Sequence, residues 1–497
     1  MFWADALLEK LSGKQRINDS FTPSGPVHMG SLKGPILHDT LYRILKSQNK
    51  EVEFWYGFDD ADPIDGLPKE LQESHEKYLG VPLFLAPSPE KKGSFADYFI
   101  NRMKKLLDQL DIHPKYYRTS ELYKEGMFNN AIQFILDHRQ EVRGVYSKVY
   151  KKEIAKDWYP LQVICPKCGK LGTTKVVKWD GKEISFLCEE NLVKWAKGCG
   201  FSGKVSPFNG TSKMPWKVEW AAKWWTFGVT IEGAGKDHAS AGGSYDIAMK
   251  LTSEVFRTKP PLKFAYEFFL SGGKKMSSSK GLGLWGNQLL EVLPPEIVHF
   301  LMIYLNPNIA VEFSPTETIP KIYDLYSLAG QDYFFDKKDK RLPIIRAYEL
   351  SQLKSLKKPP AVRFTTLAQW AQMPNMEQKI KEEHLERWVK YARTWVDRFA
   401  PESDKFTVQK NVPDAVKELT DDQKRYLKNV VQQLEKKWEP EDFQKNLYNL
   451  AKKIGISSKD AFAAIYLSLL GKNHGPKAGW LILSLDNEFV KKRFNEI

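Results

Sequence analysis

The chain has 497 residues, 42 % hydrophobic and 13 % aromatic, which exceeds what one hydrophobic core supports and points to two to four domains and not to a disordered chain. No apolar run nears the roughly 18 residues of a membrane-spanning helix, and Asp5 and Glu9 interrupt the N-terminal stretch where a leader would need an apolar core, so a soluble, untargeted, cytoplasmic protein is expected. The net charge is +14, and residues 331–497 hold 32 basic against 23 acidic residues; this balance suits a polyanionic partner and, equally, a solvated lysine-rich surface.

The run Arg16 to Phe21 reads as a strand that breaks into the turn-forming Thr22-Pro23-Ser24-Gly25-Pro26. Beyond it Leu32, Ile36, Leu37, Leu41, Ile44 and Leu45 recur at helical spacing. Pro35 belongs in a first turn, where a missing N–H costs least, so the helix is predicted to begin between Met29 and Lys33. Val52 to Phe58 is β-branched and aromatic, as a buried strand requires, and runs into Asp59-Asp60-Ala61-Asp62. The order strand, helix, strand implies a parallel sheet, and such sheets bind their ligands beyond the carboxyl ends of the strands. Both the Pro-Ser-Gly turn and the acidic cluster fall there. From about 146 to 214 the α/β rhythm is lost and all four cysteines appear, Cys165, Cys168, Cys188 and Cys199. Four cysteines are too few for a secreted disulfide scaffold, but they are the right number for one tetrahedral structural zinc. After about Pro320, amphipathic runs at residues 378–399, 421–437, 443–454 and 460–470 predict a mainly helical region.

The expected architecture is therefore α/β, a Rossmann-type parallel-sheet domain with a small zinc-containing insertion and an all-α C-terminal domain. Its parts are predicted at 1–145, 146–214, 215–325 and 326–497.

Two segments have the composition of a nucleotide site. Thr22 to Ser31 is a glycine-containing loop feeding a helix N-terminus, where unpaired N–H groups suit a phosphate, and His28 is placed to donate to a phosphoryl oxygen. Residues 271–281, Ser-Gly-Gly-Lys-Lys-Met-Ser-Ser-Ser-Lys-Gly, hold three lysines and four hydroxyls that can close over a triphosphate. Either segment alone is an ordinary surface loop. Their pairing, about 240 residues apart, is far more specific.

That pair, His28-Met29-Gly30-Ser31 with Lys275-Met276-Ser277-Ser278-Ser279, resembles the two ATP-binding motifs of class I aminoacyl-tRNA synthetases. Together with Phe21 to Gly30, Pro215-Trp216-Lys217-Val218-Glu219-Trp220, Gly235-Lys236-Asp237-His238 and Gly475-Pro476-Lys477-Ala478-Gly479-Trp480, it resembles the class I lysyl-tRNA synthetase family over most of the chain. The resemblance implies activation of lysine with Mg2+-ATP and transfer to the 2′-hydroxyl at the end of tRNA(Lys), by a monomer. It implies His28, Lys275, Ser277 and Lys280 as catalytic residues. Pro23, Ser24, Gly25, His28, Gly30, Ser31, Lys275, Met276, Ser277, Ser278 and Ser279 are implied at ATP. It also implies that residues 146–214 meet the acceptor end and that residues 326–497 read the anticodon. Ser31 and Ser278 depart from the histidine and lysine common at those places in the class.

Glutamate-activating relatives of this family carry an arginine where this chain has Asn18. Here Asp19 and the cluster Asp59, Asp60 and Asp62 supply negative charge for a substrate ammonium, with Asp19 and Asp60 as candidates and the choice among the four open. Trp220 and Tyr266 are candidate walls for the alkyl stem, and the resemblance places His238 and Thr22 beside the amino acid. Two other readings stay open: a synthetase-fold enzyme specific for glutamate or arginine, and a non-catalytic zinc-containing RNA-binding protein.

Overall fold

The computed structural model describes residues 1–9, 11–276, 283–335 and 338–497, and these divide into two compact units. The first comprises Met1–Leu290, Pro295–Phe313 and Asp332–Lys357, and the second the remainder. Among the described residues no helix is long and apolar enough to cross a membrane.

The first unit is built on a parallel sheet. Strand β1 (Gln15–Phe21) leads through a one-turn 3-10 segment, Met29–Leu32, into helix α1 (Lys33–Ser47), which returns the chain to β2 (Val52–Phe58). The helix starts where the sequence requires, with Pro35 in its first turn and with Ile36, Leu37, Leu41, Ile44 and Leu45 fully buried. Helix α2 (Phe95–Gln109), opened by a capping box between Ser94 and Asp97, leads to β3 (Lys115–Arg118). The chain then forms a small antiparallel sheet, β4 (Thr174–Trp179), β5 (Ile184–Cys188) and β6 (Ser202–Val205). It re-enters the parallel sheet through helix α3 (Trp216–Phe227), β7 (Ile231–Gly235) and β8 (Leu262–Tyr266).

The strand order is β8-β7-β1-β2-β3. β1 runs in register with β2 from Gln15 opposite Val52 to Phe21 opposite Phe58, while Ile17 lies opposite Ile231 of β7. The chain thus winds outward from β1 in one direction and returns to wind outward in the other. That reversal opens a crevice at the carboxyl ends of β1 and β7.

Two expected boundaries differ. The helix Arg139–Tyr150 carries past 146 before the regular rhythm is lost. The first unit also retains Asp332–Lys357 in place of a clean break at 326, because Arg346 reaches Asp5 at 3.2 Å and Arg43 donates to the Gln352 carbonyl at 3.0 Å.

The second unit is helical, with Glu386–Arg398, Asp421–Gln433, Pro440–Ile454, Ser458–Leu470 and Asn487–Asn495 among its helices. Local chemistry sets the ends: Pro440 opens one helix, and Gly455 closes it in the left-handed conformation at φ 86°. Trp395 is core, its Nε1 donating to the Pro315 carbonyl at 2.9 Å.

Candidate active site

Residues beyond the carboxyl ends of the strands line a cavity of about 1000 Å3. They include Asp19 and Ser20 from β1 and Thr22 just after it, Asp59 and Asp62 after β2, Gly235 ending β7 and His238 after it, and Tyr266 ending β8. A second cavity of about 210 Å3 is lined by His28, Gly30, Ser31, Lys33, Lys275 and Met276, and shares Gly235, His238 and Tyr266 with the first. The two motif segments, distant in the chain, therefore face one cavity that adjoins the acidic one. Ser24 lines the larger cavity, Pro23 and Gly25 line neither, and Ser277, Ser278, Ser279 and Lys280 lie outside the described residues.

The acidic cluster is not the open pouch the sequence suggests. Asp59 is bonded to the buried Lys223 ammonium, and the Lys213 ammonium bridges Asp62 and Glu219 at 2.8 Å each. Both lysines come from the chain just before or within α3 and are 3 % exposed at the side chain or less. Burial pushes the Asp62 carboxyl up to about 6 although Lys213 pulls it the other way. Thr22 Oγ1 lies 3.5 Å from Asp62 Oδ2.

Asp60, a sequence candidate for the ammonium, is corrected by its surroundings. It is fully buried and accepts from Arg118 Nε at 2.7 Å, the Ser120 N–H at 2.8 Å and Ser120 Oγ at 2.6 Å, so it anchors the end of β3 to that of β2 and does not line the cavity.

Two buried carboxylates on the cavity wall, Asp19 and Glu232, have no lysine or arginine bonded to them among the described residues. Asp19 accepts the Ser20 N–H at Oδ1, 2.9 Å, while its buried Oδ2 has no hydrogen-bond partner among the described residues. His38 Nδ1 is 3.6 Å from that oxygen, but His38 is neutral: its Nε2 accepts the Gly233 N–H at 2.8 Å, its Nδ1 proton goes to the Gly34 carbonyl at 2.7 Å, and burial lowers its pKa to about 4. Gly34 admits this arrangement, since a Cβ there would stand 2.9 Å from both Asp19 Oδ2 and the Tyr266 hydroxyl.

The second carboxylate, Glu232 in β7, accepts from three neutral donors: Trp220 Nε1 at 2.8 Å, Trp224 Nε1 at 2.6 Å and Asn18 Nδ2 at 2.8 Å. Burial raises its pKa to about 7 despite those bonds, and burial followed by the charge of Glu232 raises that of Asp19. A buried anion pair of this kind gains from a cation entering the cavity. The sequence reading missed Glu232, although an acidic residue inside an otherwise apolar strand is itself a signal. Trp220, fixed at its ring nitrogen by Glu232, stands edge-to-face with His238, ring centres 6.0 Å apart.

On the nucleotide side, His28 Nδ1 accepts the Gly30 N–H at 3.0 Å, which leaves the proton of the neutral ring on Nε2. Burial and then the positive charge of Lys275 hold His28 below its ordinary pKa, so it is a neutral donor. Lys275 is ion-paired with Asp237 and lies 4.0 Å over the Phe268 ring. Lys33, also missed, is buried against the carbonyls of Glu267 at 2.9 Å and Pro307 at 3.4 Å, and burial lowers its pKa to about 8.

The four cysteines form no disulfide. Their sulfurs all lie within 4.8 Å of one another, with Cys165–Cys199 and Cys168–Cys188 each at 3.7 Å. A tetrahedral zinc at about 2.3 Å from each thiolate requires sulfur separations of about 3.8 Å, so the residues fit the metal.

Comparison with known proteins follows the same lines. The family model for class I tRNA synthetases (K) matches residues 1–354, and one for an anticodon binding domain matches 364–497. Curated relatives include a lysine–tRNA ligase of Picrophilus torridus, 31 % identical over 100 % of this chain and 99 % of its own. Another, of Methanocaldococcus jannaschii, is 33 % identical over 100 % and 99 %. A solved glutamate tRNA ligase from Elizabethkingia meningosepticum aligns at 13 % identity and a TM-score of 0.48 over 97 % of this chain and 99 % of that one. With a parallel sheet presenting two distant motifs to one crevice and matches that run the length of the sequence, the chain belongs to the class I tRNA synthetases (K).

Proposed function

We propose that this protein is a lysine–tRNA ligase: it activates lysine with ATP and transfers the lysyl group to tRNA(Lys). The observation that carries lysine, as opposed to glutamate, is the pair of buried carboxylates Asp19 and Glu232 on the cavity wall, to which no cation is bonded among the described residues. A carboxylate substrate would be repelled there, and the ammonium of lysine supplies the missing counter-charge. Asn18 spends its amide on Glu232, and its carbonyl accepts the Tyr117 hydroxyl at 3.0 Å, so it leaves no cation to grip a glutamate side chain.

In the first step an oxygen of the lysine carboxylate attacks the α-phosphorus of Mg2+-ATP, the bond to the bridging oxygen breaks, and pyrophosphate leaves. His28, with its proton on Nε2, donates to the phosphoryl oxygen as its charge grows, and Lys275 adds positive potential. In the second step a hydroxyl of the terminal ribose attacks the lysyl carbonyl, and AMP leaves. Thr22, Trp220, His238 and Tyr266 bind and orient the amino acid between the two cavities. Cys165, Cys168, Cys188 and Cys199 hold a structural zinc that supports the 146–214 module, which receives the acceptor end, while the basic helical unit reads the anticodon. Four free thiols in one cluster suit a reducing, cytoplasmic setting.

Amino-acid-dependent exchange of pyrophosphate into ATP, run with tRNA present across the twenty amino acids, tests this reading. Exchange is expected with lysine and not with glutamate or arginine. Exchange with glutamate and none with lysine overturns it.

A further inference from the structure

The larger cavity is bigger than one amino acid needs. At about 1000 Å3 it stands at the top of the range that encloses a drug-sized ligand, while the groups suited to lysine all come from the parallel sheet, its following loops and α3. The rest of the lining is chemically different and comes from the cysteine module and its approach: Trp158, Tyr159, Thr174, Lys175, Leu192 and Trp195 among others. Tyr146, Trp158, Tyr159 and Trp195 give it aromatic faces. Lys175 is already paired with Asp157 at 2.9 Å, and the half-buried Glu189 also lines this part, so it has no excess of positive charge and offers an unpaired base its ring faces.

We propose that this part of the cavity seats the terminal nucleoside of the tRNA 3′ end, with the Trp195 indole as the face on which its base stacks. The assignment rests on the tRNA-ligase reading above, which already brings the acceptor end to this module, and adds to it a binding residue. An unpaired base is held by stacking on aromatic side chains, without the charge that an amino acid or a triphosphate demands. The acceptor ribose must also meet an activated lysine held near Asp19 and His28, and one continuous cavity allows both ligands at once.

The indole is held in a built wall. Trp195 sits in the ten-residue connection between two clustered cysteines, Cys188 and Cys199, where the Cys199 N–H points at Cys188 Sγ, 3.3 Å away, and the Gly200 N–H donates to the Cys188 carbonyl at 2.9 Å. The ring lies on bare backbone: a Cβ at Gly172 would come within 2.2 Å of Trp195 Cη2. A metal at the cysteines would therefore fix both ends of the loop that carries the stacking face.

The test uses metal-loaded full-length protein and two tRNA(Lys) transcripts, one complete and one shorter by its 3′-terminal nucleotide. Binding of each is measured to the wild type, to Trp195→Phe and to Trp195→Leu, on samples shown by elemental analysis to hold one metal per chain. The wild type is expected to prefer the complete transcript by a factor between about 5 and about 150, the span of one base stacked on an aromatic ring. Trp195→Phe should keep most of that preference. Trp195→Leu, which fills the seat against Gly172 without a stacking ring, should lose it while binding the shortened transcript as the wild type does. An undiminished preference in Trp195→Leu, or equal binding of both transcripts by the wild type, overturns the assignment. Failure of the wild type to bind either transcript overturns the tRNA-ligase reading along with it.

Discussion

Replacing Asp19 by asparagine should move affinity and stability in opposite directions. The substitution keeps the side-chain size and the oxygen that accepts the Ser20 N–H at 2.9 Å, but removes a charge whose second oxygen is buried and unpartnered. With a substrate ammonium about 4 Å away and an effective dielectric near 20, the lost attraction is about 4 kcal/mol. Water at the cavity mouth reduces that to about 2–4 kcal/mol, a rise of roughly 30- to 1,000-fold in the KM for lysine. The stability change has the other sign. Burial and Glu232 raise the Asp19 pKa in the folded chain above its unfolded value, so the fold pays for an ionised carboxylate at every pH above the ordinary carboxylate range, and asparagine removes that cost. Pyrophosphate exchange at varied lysine and thermal melting without ligand read the two effects. A KM within threefold of the wild type, or a lower melting midpoint, would refute the reasoning.

Three further outcomes are expected. Because Glu232 titrates at about 7 in the empty site and an ammonium favours its ionised form, the KM for lysine should fall as pH rises from 6 to 8; a flat profile would separate Glu232 from the ammonium. His28→Ala should lower the rate of lysine activation by about 10²–10³ with little change in lysine KM, since a donor to the phosphoryl oxygen acts chiefly in the transition state, and an unaltered rate would remove that role. Elemental analysis should find one zinc per chain, lost in Cys168→Ser together with a lower melting midpoint, whereas a disulfide among the four cysteines of the native protein would refute the site.

The local parts of this fold were legible because local chemistry decides them. The turn that ends β1, the apolar stripe of α1 and the acidic end of β2 lie within 50 residues, and the parallel pairing and shared crevice follow from general rules of parallel sheets. The helical runs of the second unit were legible for the same reason, except at His384, where a backbone φ of 55° divides the expected helix at 378–399. What was hidden depended on distant partners. Lys223 meets Asp59 across 164 positions, and Arg118 meets Asp60 across 58, so the cluster reads as a pouch of free negative charge when most of it is internally neutralised. Nothing near Asp59 in the chain announces that cation. Glu232 was hidden because it is a solitary acid, and two of its three neutral donors, Trp220 and Asn18, lie 12 and 214 positions away.

The setting of β1 limits how a scaffold of this kind can change what it accepts. With Ile17 bound opposite Ile231 on one side and the full length of the strand matched to β2 on the other, the strand has no freedom to slide. One inserted or deleted residue within it would invert its alternation, turning Asp19 away from Gly34 and presenting its neighbour in its stead. New substrate preferences should therefore arise in this lineage by exchange of side chains at fixed positions, and length variation should collect in the connecting segments instead.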